Sequence, residues 1–94
     1  MKIEEITGEM NDVSLEGEIV SISSPTQVRT KFGTKQVANA TIKDETGEIE
    51  LSLWEDQINA VSQGDRVRIS GGYVKSFKGK LQVAVGRRGK IEVI

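Results

Sequence analysis

Residues 47–54, Gly-Glu-Ile-Glu-Leu-Ser-Leu-Trp, hold the clearest alternation in the chain: Ile49, Leu51 and Leu53 share one face of an extended segment, and Glu48, Glu50, Ser52 and Trp54 share the other. A period of two reads as a half-buried strand, and it assigns the only tryptophan to the polar face. Upstream, Lys43-Asp44-Glu45-Thr46-Gly47-Glu48 reads as a turn, with Gly47 expected at positive φ. Before the turn, residues 36–43 alternate again, with Ala38, Ala40 and Ile42 against Val37, Asn39, Thr41 and Lys43. Ser23-Ser24-Pro25-Thr26 breaks the chain, and ahead of it Val13, Leu15, Gly17 and Ile19 alternate before Val20 and Ile22 take the opposite phase. Gly17 inside that long strand points to a bulge or sharp coil of the kind small barrels use at a corner. Ile3, Ile6 and Met10 recur at roughly helical spacing, which predicts a short turn or helix against the core.

Downstream of Trp54, residues 55–65 place Ile58 and Val61 at helical spacing and end in Gly64-Asp65, a short helical connector. A fourth strand starts at Arg66-Val67-Arg68-Ile69, and Gly71-Gly72 allows a phase slip that turns Val74 in and Tyr73, Lys75 and Phe77 out. The fifth covers residues 80–85 with Leu81, Val83 and Val85 inward; after a break at Gly86-Arg87-Arg88-Gly89-Lys90, residues 91–94 extend it or close the sheet. The chain is thus expected to be all-β: a five-stranded Greek-key barrel of the OB-fold type, with a short helical connection between strands 3 and 4. An SH3-like barrel is the alternative, and it usually lacks that helical insert.

The whole chain, 1–94, is read as a single domain, since 94 residues leave no room for a second core. It contains no cysteine and no histidine, which removes disulfides, thiolate or imidazole zinc sites, and Ser-His or Cys-His catalysis. Gly79-Lys80 and Gly89-Lys90 lack the remaining residues of a phosphate loop. What is left for an enzyme is carboxylate-only metal chemistry by Asp44, Glu45, Glu55 and Asp56, which lie in turns and read as solvated loops. The expectation is therefore a binding protein, not an enzyme, with no cofactor. No apolar run approaches the length of a membrane span, and the acidic start lacks a signal-peptide core, so no membrane partner and a cytoplasmic, nucleoid-associated location are expected.

Net charge is −1, but the signs are segregated: residues 1–28 carry −5, 29–43 carry +4, 44–65 carry −7 and 66–94 carry +7. Of the four aromatics, alternation turns Trp54, Tyr73 and Phe77 away from the core, and Phe32 sits among Arg29, Lys31 and Lys35 in the loop between the first two expected strands. A large ring left outside forfeits core stability, whereas an exposed ring beside cations suits single-stranded nucleic acid, whose bases stack on it irrespective of sequence. In the OB-fold the loops between strands 1 and 2 and between strands 4 and 5 flank a groove across strands 2 and 3. This would gather Arg29, Lys31, Lys35, Lys75, Lys78, Lys80, Arg87 and Arg88 to hold phosphates. The aromatics would stack bases, and Asn39, Thr41 and Ser52 would hydrogen-bond base edges or backbone.

The acidic turn before a strand ending in tryptophan (Asp44 to Trp54), the Gly64-Asp65 turn, and Tyr73 followed four positions later by Phe77-Lys78-Gly79 resemble the OB domains of archaeal single-stranded DNA-binding proteins and replication protein A. The resemblance covers roughly residues 3–94. It implies base stacking on Trp54, Tyr73 and Phe77, and a role in DNA replication, recombination or repair. The expected partners are single-stranded DNA and replication or repair proteins. Some relatives carry a further aromatic where this chain has Ala84. The alternatives are an RNA- or transfer-RNA-binding module, or a protein-interaction domain of a replication assembly.

Overall fold

Alternating apolar residues become six strands: β1 (Met10–Ile22), β2 (Thr26–Thr30), β3 (Gly33–Asp44), β4 (Gly47–Trp54), β5 (Arg66–Phe77) and β6 (Lys80–Val93). A helical turn, α1 (Asp56–Ala60), joins β4 to β5, and a 3-10 turn at Ile3–Glu5 precedes β1. The structure, a computed structural model, describes residues 2–94, with side chains at all positions but Phe77 and 86–88. The sheet runs β1-β5-β6-β4-β3-β2, and a second pairing, β1 with β3, closes five of the strands into a barrel. All pairings are antiparallel except β4 with β6, which is parallel.

Closure happens at one stretch of β1. Glu18 stands opposite Arg66 of β5 and also opposite Lys43 of β3, so the strand changes partners there. A Cβ on the preceding residue, Gly17, would lie 2.6 Å from the Lys43 carbonyl oxygen and 2.8 Å from Ile42 Cγ1, which explains why this position lacks a side chain. The expected bulge is not at Gly17 itself. The register slips between Met10 and Leu15 against β5, and again between Ile19 and Ser21 against β3. The second slip leaves Val20 unpaired and returns Ile22 to the inner side, opposite Ala40. Ile19 secures the corner by donating its N–H to Asp65 O (2.8 Å) and accepting from Gly64 N–H (2.7 Å).

Among the described residues the core is aliphatic: Val13, Leu15, Ile19, Ala40, Ile42, Leu51, Leu53, Val67, Ile69, Val74, Val83 and Val85 from the strands, with Val61, Ile3 and Ile6 at the ends. Ile3 and Ile6 are buried as their spacing predicts, whereas Met10 belongs to β1, opposite Val74. Outside, charges face across strands: Glu18 meets Lys43 and Arg66, Lys43 meets Glu48, and Arg68 stands between Glu16 and Glu92. Arg68 Nε donates to Glu16 Oε2 at 3.0 Å. Opposed charges of this kind contribute about 0.2–1 kcal/mol per pair.

Three sequence expectations are corrected. The segment before Phe32 is not a plain loop: it forms β2, paired with β3 from Thr26↔Val37 to Thr30↔Gly33. Gly47 has no positive φ; the tight turn is held by Asp44, whose Oδ1 accepts from Thr46 N–H (2.6 Å), Thr46 Oγ1 (2.5 Å) and Gly47 N–H (3.2 Å). The glycine-arginine stretch does not end the strand, because β6 continues to Val93. Between Gly72↔Val85 and Ser70↔Lys90, Gly71 alone stands opposite residues 86–89.

Asp44 also ties down the amino terminus, its Oδ2 accepting the Ile3 N–H at 2.8 Å. Burial pushes the Asp44 pKa up, but hydrogen bonds from the Thr46 hydroxyl and from the N–H groups of Ile3, Thr46 and Gly47 outweigh it, and the pKa falls from 3.8 to about 2. A carboxyl whose pKa is depressed by folding stabilises above its unfolded value and loses that contribution as pH falls through the folded value. The urea midpoint should therefore drop from pH 5 toward pH 2, and Asp44→Asn should be less stable at pH 7 with a flatter acid limb. Gly17→Ala should cost about 1–3 kcal/mol through overpacking. Gly8→Ala, where nothing lies within 4 Å, should leave the urea midpoint unchanged.

Candidate nucleic-acid interface

Three of the four aromatics surround one groove. It has a volume of about 630 Å³ and is lined by Thr30, Lys31, Phe32, Lys35, Trp54, Glu55, Gln57, Tyr73 and Val85. Each ring arrives on a different element. Trp54 ends β4 on its outer face, beside Val37 of β3. Tyr73 lies on the outer face of β5, where Gly71 at φ +65 and the register slip before Gly72 set the phase that points it out. Phe32 sits at the tip of the β2–β3 hairpin and is 72% exposed, against 37% for Tyr73.

The hairpin tip is locally fixed. Thr30 Oγ1 accepts the Phe32 N–H at 3.2 Å and donates to Gly33 O at 2.7 Å, and Gly33 takes φ +114. Lys31 Nζ lies 5.2 Å from the centroid of the Phe32 ring, within the range of cation–π attraction. The backbone of Trp54 is tied to Gln57, whose Oε1 accepts the Trp54 main-chain N–H (3.1 Å) and whose Nε2 donates to Val85 O (3.3 Å). The first residue of the connector, Glu55, adopts φ 51 and ψ −119, a region that side-chain-bearing residues rarely occupy.

Below the groove, the outer face is ordered in rows across four strands. One row reads Tyr73, Ala84, Ser52, Asn39; the next reads Lys75, Gln82, Glu50, Thr41. Ala84 and Ser52 form a sealed floor at 0% and 3% exposure. Ser52 Oγ donates to Gln82 Oε1 (3.4 Å) and Gln82 Nε2 donates to Glu50 Oε2 (2.7 Å), so this serine is not presented to a base as the alternation suggested. Asn39 and Thr41 line a separate shallow groove of about 300 Å³ with Ser21, Ile22, Ser23, Ala40 and Glu50.

The basic residues divide. Lys31 and Lys35 border the aromatic groove. Arg29 pairs with Thr34, one residue out of phase with the Val28↔Lys35 pair, and so belongs to the other side of the hairpin. Lys75 is half-buried in the lower row. Lys78 and Gly79, at φ 53 and 80, make the two-residue turn that joins β5 to β6. Lys80 lines a different hollow with Glu48 and Glu50. The side chains of Phe77, Arg87 and Arg88 lie outside the described residues. Among the described residues there is no group of three or more acidic side chains that could hold a metal, and Asp44 is committed to its turn. No helix in the described residues is long and apolar enough to cross a membrane.

Thr30, Glu55 and Gln57 were not among the residues expected here. Gln57 could have been found, since a helical turn begun directly after Trp54 brings a residue three positions later back to its amide.

Comparison with known proteins agrees with this architecture. Residues 13–93 match the family model for the OB-fold nucleic acid binding domain (tRNA anti-codon). The chain is 29% identical over 90 residues to the single-stranded DNA binding protein Ssb of Saccharolobus solfataricus, covering 96% of this chain and 61% of that protein. It is 34% identical over 96 residues to replication factor A of Methanothermobacter thermautotrophicus, covering 97% of this chain and 12% of that protein. The chain thus spans less than two thirds of the length of either relative. The solved OB domain of Ta0387 from Thermoplasma acidophilum matches with a TM-score of 0.87 at 30% identity, over 100% of this chain and 85% of that one. A replication factor A related protein from Methanobacterium thermoautotrophicum gives 0.82 at 26% identity, over 100% and 89%. With the barrel, the helical connector and the family match in agreement, the chain belongs to the family of OB-fold nucleic acid binding domains.

Proposed function

We propose that this domain binds single-stranded DNA, stacking bases on Phe32, Trp54 and Tyr73 while Lys31 and Lys35 hold the adjoining phosphates. The observation that carries the reading is the groove that unites three rings from three elements with two lysines. Among the described residues the core cluster contains no aromatic side chain, which leaves Phe32, Trp54 and Tyr73 available to a ligand. The names of the relatives, single-stranded DNA binding protein and replication factor A, point the same way. At about 1–3 kcal/mol per stacked base, three rings supply much of the roughly 8 kcal/mol of a micromolar complex. The domain acts by binding alone, covers about 4–6 nucleotides, and serves DNA replication, recombination or repair in contact with other proteins of those processes. Asn39, Thr41 and Lys75 extend the track below the groove, Lys78 and Lys80 extend it toward the β5–β6 turn, and Phe77, Arg87 and Arg88 add a further ring and two further cations to the same function.

Oligothymidine should quench Trp54 fluorescence, and the quenching should weaken as salt rises. In an anisotropy assay with labelled oligothymidine, Trp54→Ala combined with Tyr73→Ala should lower affinity about 30-fold or more, from the loss of two stacked bases. Lys31→Ala with Lys35→Ala should reduce the salt slope by about 1.4, two phosphates at 0.7 each. Unchanged affinity in the aromatic double variant would overturn the stacking reading and assign the face to a protein partner. Tighter binding of a matched oligouridine would make RNA the ligand.

A further inference from the structure

A carboxylate in a groove meant for a polyanion needs a reason. Glu55 lines the groove beside Trp54, Lys31 and Lys35. Its side chain makes no cap hydrogen bond to α1, and among the described residues it has no hydrogen bond or ion pair. Its backbone is tied by Glu55 N–H to Gln36 O (3.0 Å) and by Ile58 N–H to Glu55 O (3.0 Å), which hold it at φ 51 and ψ −119. Glycine would occupy that conformation without strain. A residue that repels phosphate and strains the chain contributes to neither general affinity nor stability, which leaves discrimination between ligands.

We propose that Glu55 is the base-selecting residue of the groove, its carboxylate accepting two hydrogen bonds from the Watson–Crick edge of a guanine stacked on Trp54. The inference rests on the reading of the groove as a single-stranded DNA site. Guanine is chosen on chemistry. An ionised carboxylate is acceptor-only with two oxygens, and guanine alone presents two adjacent donors on that edge, N1–H and N2–H. Adenine and cytosine place an acceptor beside their amino group. Thymine flanks its single N–H with two carbonyl oxygens that face the carboxylate unfavourably. Splayed bases of single strands are read on this edge.

The test uses labelled hexamers: oligothymidine, the same with one guanine at each position in turn, and the best of these with inosine in place of guanine, which deletes only the N2 amino group. The wild type should bind the best guanine hexamer about tenfold more tightly than oligothymidine, within the range of one bidentate pair, and inosine should remove most of the gain. Glu55→Gln and Glu55→Gly should abolish the preference while binding oligothymidine as well as or better than the wild type, and Glu55→Gly should unfold at equal or higher urea. A guanine preference that survives in both variants, or is absent from the wild type, overturns the proposal while leaving single-stranded DNA binding intact. Failure of the wild type to bind any hexamer overturns both this inference and the reading beneath it.

Discussion

The barrel depends on one contact between backbones. Where β1 passes from β5 to β3, the Lys43 carbonyl approaches so closely that a Cβ at position 17 would sit 2.6 Å away. Only that approach lets Glu18 stand between Lys43 and Arg66 and the sheet close on itself. Once it is closed, the inner faces of five strands converge on a narrow interior, since barrel diameter grows with strand number. Among the described residues, isoleucine, leucine, valine and alanine fill that interior, and Phe32, Trp54 and Tyr73 remain on the outer groove.

The groove is also preorganised. The backbone of Phe32 is held by a hydroxyl bonded to both sides of its turn, and the backbone of Trp54 by a side-chain amide that bridges β4 and β6. Groups already fixed before a ligand arrives lose less freedom on binding, so more of their contact energy survives as affinity. Charge is sorted in a similar way. Lys43, Arg66 and Arg68 stand opposite glutamates around the barrel, whereas among the described residues Lys31 and Lys35 line the groove beside the rings.

Most of the fold could be read from residues that alternate strictly. Leu51, Leu53, Val67, Ile69, Val74 and Val83 all point inward as their spacing requires, and Trp54 and Tyr73 point outward. β2 is not legible in the sequence because Thr-Gln-Val-Arg-Thr lies beyond the barrel with no core face and so carries no apolar period. The position of the Asp44 turn is legible but its mechanism is not, because a carboxylate capping three backbone N–H groups takes the place expected of a glycine. At the site, linear charge does not report side: Arg29 and Lys35 lie six positions apart in one basic segment but occupy opposite sides of a hairpin. Ser52 was placed on the correct face, yet pairing with Gln82 seals it from solvent, and no spacing rule reports which outward residues are covered by their neighbours.

The polar character that hid β2 has a use of its own. As the last strand of the sheet, it offers one row of backbone N–H and C=O groups to anything extended that comes near. Five residues long, nearly without apolar side chains and carrying Arg29, it gives a second chain little to hold beyond the backbone itself. The domain can thus extend an arm for Phe32 past the closed barrel without that arm becoming a seed for aggregation.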